Sequence, residues 1–201
     1  MKTSKVWALM KKSKQLFLIC FGDEQWCSDG VALYNVSAVP KMTPEQFLAI
    51  ISVEEGEEDK YTVRFKNEFT DLITCNSDYY EEVPAEEFST DFISCGNVYK
   101  VLSAFGGEIV AFDPKYLAPF ADNPDVELYC RRPLHGNDRW IAVKYGWLTL
   151  GIICPKMKFP ESVLSDIRRI MELSQSQTTP ENWDNREPLT DEEHEELEPI
   201  Y

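Results

Sequence analysis

YNVSAVPKMTPEQFLAIISVEEGEEDKYTVRFK, residues 34–66, reads as a strand, a short proline-started helix, an acidic turn and a second strand. Thr43 can cap the helix and Gln46 is placed to complete a capping box. Pro44 suits the first helical position, where a missing N–H costs nothing. Phe47, Leu48, Ile50 and Ile51 give the helix an apolar side. Beyond the acidic turn at residues 54–59, Tyr61, Val63 and Phe65 alternate with Thr62, Arg64 and Lys66, as in a half-buried strand. EIVAFDPKYLAPFADNPDVELYCRR, residues 108–132, repeats the device, with Asp113-Pro114 as cap and first turn. Pro119 limits this second helix to about two turns, because an internal proline removes a hydrogen bond and crowds the preceding turn.

Working outward, residues 4–13 are expected to form a helix capped by Ser4 or Thr3, with Val6, Leu9 and Met10 on one face and Lys5 and Lys12 on another. Residues 16–21 are an apolar run of strand length. Residues 25–36 hold two strands around Ser28-Asp29-Gly30, and Asp-Gly is a hairpin signal. Residues 71–75 are expected to return beside the strand at 61–65, and the acidic, proline-interrupted residues 80–94 to be a connection. Strands follow at 98–105, 126–131, 140–145 and 147–154, with turns at Gly106-Gly107, at His135-Gly136-Asn137-Asp138 and at Tyr145-Gly146. Residues 160–173 carry Val163, Leu164, Ile167, Ile170 and Met171 at helical spacing. The expected class is α+β: antiparallel strands with short proline-started helices in repeated β-α-β units, plus a C-terminal amphipathic helix.

The net charge is −15, and it is uneven. Residues 180–201 hold nine acids and one base, a net −8, so the other 179 residues carry −7. Such a composition, poor in apolar side chains, predicts a mobile acidic tail. Lys2, Lys5, Lys11, Lys12 and Lys14 all precede the first acid, Asp23. An acidic chain repels phosphate at long range, which excludes a generic nucleic-acid binder and leaves room for a local basic surface. The six cysteines, Cys20, Cys27, Cys75, Cys95, Cys130 and Cys154, form no CxxC or zinc-knuckle spacing, and several lie in apolar runs. Buried thiols in a reducing cytosol, no signal peptide and no apolar run long enough for a membrane span together predict a cytoplasmic protein.

Chemistry-bearing motifs are sparse. There is no glycine-rich phosphate loop, GxSxG, HExxH or EF-hand spacing. His135 with Asp138 reads as a solvent-facing turn rather than a metal site, and the carboxylate clusters Glu81-Glu82 and Glu86-Glu87 as solvated surface. No catalytic residue, metal or cofactor is expected. The basic elements are Lys5, Lys11, Lys12 and Lys14 on the first helix, Arg131, Arg132 and Arg139 near one turn, and Arg168-Arg169 on the last helix. Each can contact phosphates, which needs charge and no catalytic geometry.

AFDPKYLAPF, VELYCRR and RWIAVKYGWLTLGIICPKMK together resemble the closing part of a bacterial DNA sliding clamp domain, and the first half, from the leading helix through QWCSDGVALYNV to LITC, is similar to such a domain as well. Val31 and Ala32 follow Asp29-Gly30 where clamps carry His-Arg. The resemblance implies a first clamp-like unit at residues 1–93, a second with the C-terminal helix at 94–173, and the acidic tail at 174–201. It also implies that lysines on the helices face DNA without reading its sequence: Lys5, Lys11 and Lys12, with Lys115 on the second-repeat helix. A ring would require copies of the chain to associate. Gln15-Leu16-Phe17-Leu18-Ile19 resembles the short peptide by which replication proteins dock on a clamp, but it runs into a longer apolar stretch and reads as a core strand.

The expected function is a non-enzymatic, clamp-like protein, phage- or mobile-element-encoded, that binds duplex DNA or replication proteins as a homo-oligomer and does not engage a membrane. The alternative is an acidic interaction or inhibitor module that competes with nucleic acid for a partner.

Overall fold

The computed structural model describes residues 1–67, 82–88, 91–94, 96–104, 108–132, 139–155 and 161–176. The chain divides into a unit at Met1–Phe159 and another at Pro160–Tyr201. Helix α1 spans Thr3–Lys12. Strands β1 (Gln15–Phe21), β2 (Glu24–Ser28) and β3 (Ala32–Asn35) follow, then helix α2 (Pro44–Ile50) and β4 (Thr62–Lys66). The second half holds β5 (Glu82–Glu87), β6 (Phe92–Ser94), β7 (Asn97–Ala104), β8 (Glu108–Phe112), a 3-10 helix at Pro114–Phe120, β9 (Val126–Arg131), β10 (Trp140–Tyr145) and β11 (Leu148–Ile153). In the second unit, α3 (Glu161–Ser176) carries the expected amphipathic stripe and runs through residues 174–176.

One eleven-stranded sheet runs in the order β4-β1-β2-β3-β11-β10-β9-β5-β7-β6, with β8 also on β7. The pairings are antiparallel except β1 with β4, which is parallel. The α2 crossover permits this, because only a connection of such length can return a strand in the same direction. Both opening stretches are therefore strand, proline-started helix and strand. In the first, β3 and β4 are separated by β2 and β1; in the second, β8 and β9 are separated by β7 and β5. The strand directions differ, because β9 lies antiparallel to β5. The helices differ too. The second is 3-10, with Pro119 inside it and the Asp113 side chain accepting from the Lys115 N–H.

The capping box of α2 is complete: Thr43 Oγ1 accepts from the Gln46 N–H at 3.3 Å, and Gln46 Oε1 from the Thr43 N–H at 2.8 Å. The N-cap of α1 is Lys2 and makes no side-chain cap. Instead the Lys2 N–H donates to the Pro119 carbonyl at 2.7 Å, which ties the start of α1 to the 3-10 helix. Residues 82–87 and 92–94, expected as a connection, are strands. Pro84 is tolerated because it is registered only with Tyr129 of β9, and pairing with β7 begins at Ala85.

Side-chain alternation sorts the core onto two faces. Leu16, Leu18, Cys27, Ala32, Tyr34, Cys130, Ile141, Val143 and Ile153 join the larger cluster, with Val6, Leu9 and Met10 of α1, Phe47 of α2 and Tyr116 and Phe120 of the 3-10 helix. Ile19, Trp26, Leu33, Ala142 and Ile152 face the other way. All three helical segments of the first unit therefore pack on one face of the sheet.

Candidate functional site on the helix-bearing face

On this face α1 packs against the 3-10 helix, which sets the positions of the candidate lysines. Lys5 Nζ lies 3.4 Å and Lys2 Nζ 2.8 Å from Asp122 Oδ2, and these hydrogen bonds hold the Asp122 carboxyl below its usual range. Lys11 Nζ donates to the Ser52 carbonyl at 2.7 Å, at the end of α2, where a cation complements the unpaired carbonyls. Lys12 is exposed on the same turn of α1. Lys115 pairs with Asp113 at 2.5 Å and lies 4.8 Å from the centre of the Tyr116 ring. Lys5, Lys11, Lys12 and Lys115 thus remain at the surface, three of them already bonded to the protein.

Arg131 is placed differently. Its side chain is 1% exposed, with Nε 2.7 Å from Glu82 Oε2 and Nη2 3.0 Å from Thr149 Oγ1. A guanidinium in that position bonds the sheet to itself. The sequence cue, two adjacent arginines, could not separate it from Arg132, which is exposed. Adjacent strand residues point to opposite faces, so one of such a pair enters the interior whenever both faces are covered.

The three segments that carry the clamp resemblance converge in space. Asp29 Oδ1 accepts the N–H groups of Val31 and Ala32 at 2.9 and 3.0 Å. Its Oδ2 accepts the Tyr116 hydroxyl at 3.2 Å, and the Tyr34 hydroxyl donates to the Tyr116 carbonyl at 3.0 Å. The Cys154 N–H donates to the Val31 carbonyl at 2.7 Å. Beside this network lies a cavity of about 270 Å³, lined by Val31, Asp113, Lys115, Tyr116, Ile153 and Pro155 among others. Sequence reasoning found each segment without finding this meeting point, since 87 positions separate Asp29 from Tyr116.

Burial, reinforced by the Asp29 carboxylate, pushes the Tyr34 hydroxyl far above its ordinary range. The Cys27 thiol is raised for the same two reasons. The unfolded tyrosine ionises near pH 10 and the folded one does not, so above about pH 10 the unfolded state binds fewer protons. Stability contributed by the neutral hydroxyl is complete below that pH and falls above it, by about 1.4 kcal/mol per pH unit. Tyr34→Phe is expected to flatten this decline while costing about 1 kcal/mol at pH 7, through the lost hydrogen bond. Urea midpoints of both proteins from pH 8 to 11 check it, and equal slopes would refute the assignment.

Among the described residues no group of three or more His, Cys, Asp or Glu is placed to hold a metal ion. No described helix is long and apolar enough to cross a membrane. His135, Asp138, Gly106-Gly107, residues 71–75 and the tail beyond residue 176 lie outside the described residues. No protein-family model, curated protein or solved structure matches this chain.

Proposed function

We propose that this chain is a non-enzymatic, clamp-like protein that lays the lysines of its helix-bearing face against duplex DNA. The supporting observation is that α1, α2 and the 3-10 helix pack on one face of a continuous sheet, with Lys5, Lys11 and Lys12 along α1. Contacts of this kind act on phosphates and specify no sequence. Association of copies into a ring fits the sheet, because among the described residues β4 pairs only with β1 and β8 only with β7. The local pairing of Lys5 with Asp122 and of Lys115 with Asp113 favours a second reading, an acidic module that competes with nucleic acid for a partner.

Light scattering and fluorescence anisotropy with a labelled duplex, at low and moderate salt, separate the two. The DNA reading expects a complex whose log affinity falls linearly with log salt, by about 0.9 per phosphate contact. Lys11→Glu with Lys12→Glu should abolish it while the fold remains. A monomer indifferent to DNA at low salt would reject this reading and favour the acidic module.

A further inference from the structure

The β10–β11 hairpin ends in a two-residue turn, Gly146-Trp147, because Tyr145 is registered with Leu148. Gly146 supplies the positive φ of +55° that such a tight turn needs. The turn holds Trp147 72% exposed, flanked by Tyr145 at 46% and Leu148 at 42%. Solvating three large apolar side chains on a rigid hairpin in the middle of a sheet is unfavourable, and such a cluster marks an interaction surface. Tyr145 is registered with Val126 of β9. Val126 also lines an apolar groove of about 330 Å³ formed with Leu117, Ala118, Phe120 and Leu128. The hairpin tip and the groove are thus contiguous through one residue.

The charges beside this surface have one sign. Asp125 and Glu127 flank Val126, and neither is in an ion pair among the described residues. The other nearby carboxylates are neutralised, Asp122 by Lys2 and Lys5 and Glu87 by Lys100. With a chain charge of −15, phosphate backbones and anionic lipid are repelled from this site. We propose that the Trp147 tip and the adjoining groove dock a basic amphipathic helix of a partner protein. Its apolar face would cover Trp147 and enter the groove, and its lysines or arginines would meet Asp125 and Glu127. The surface is distinct from the α1 lysines, so this inference does not depend on the DNA reading.

The probe is a fluorescein-labelled synthetic helix of leucine and lysine with one apolar face, titrated with the full chain at moderate salt. A leucine–glutamate helix serves as control. The lysine helix should bind and the glutamate helix should not. Trp147→Ala is expected to weaken binding at least tenfold with an unchanged melt, since the side chain is exposed. Asp125→Asn with Glu127→Gln should weaken it several-fold and reduce its salt dependence. Wild-type affinity in Trp147→Ala would place the binding elsewhere on the acidic surface, and no binding by the unaltered protein would show no such site. Either result overturns the proposal.

Discussion

Glu82→Gln is expected to destabilise the protein by about 3–5 kcal/mol, the range for removing one member of a buried ion pair. The Glu82 carboxylate receives Arg131 Nε through one oxygen and Lys144 Nζ through the other. Arg131 and Lys144 are 1% and 7% exposed. Glutamine keeps the shape and removes the charge, leaving two cations close together in the sheet with their mutual repulsion unscreened by water. These residues join β5, β9 and β10, and Thr149 extends the network to β11, so the loss should lower the global guanidinium midpoint rather than loosen one loop. A companion variant, Glu82→Leu with Arg131→Met and Lys144→Met, should recover much of the loss, because apolar replacements of similar volume need no desolvated charge. A Glu82→Gln midpoint within experimental error of the unaltered protein would refute the account.

Gly151→Val should have the next largest effect, for a steric reason. A Cβ at position 151 would stand 2.8 Å from Phe120 Cζ and 3.1 Å from the Leu33 carbonyl oxygen. Neither neighbour can yield easily. Phe120 is 3% exposed with its ring centre 5.9 Å from that of Tyr34, and the Leu33 carbonyl belongs to the strand paired with β11. Overpacking of this kind costs about 1–3 kcal/mol for the first added carbon, and valine's two methyls should exceed that range. Gly151→Ala combined with Phe120→Leu should lose less than the sum of the two single changes, since the clash and the cavity offset each other. Strict additivity, or a neutral Gly151→Ala, would show that the ring is not held where it is drawn.

Local structure was legible wherever neighbours in sequence decide it. Thr43-Pro44-Glu45-Gln46 specifies the start of α2 because cap, proline and box partner all lie within one turn. Asp29-Gly30 specifies its turn because the aspartate carboxylate bonds the N–H groups two and three residues on. Alternation in β1, LFLI, already contains both faces of the sheet: Leu16 and Leu18 toward the helices, Phe17 and Ile19 away. Where a local rule had an exception, the reading failed. Pro84 argued against a strand, and β5 forms because its proline sits where only one neighbour is paired.

What the sequence by itself determined, then, is the α+β class, the proline-started helix positions, the main strands and the uneven charge. Each depends on contacts within a few residues. Only the tertiary structure decided that β3 pairs with β11, that Asp29 receives the Tyr116 hydroxyl, that Arg131 is internal while Lys12 is external, and that Trp147 stands at an open tip beside a groove. Those outcomes depend on which distant segments share a sheet face. That choice is made by summed burial and packing over the whole core, a quantity no short window of residues contains.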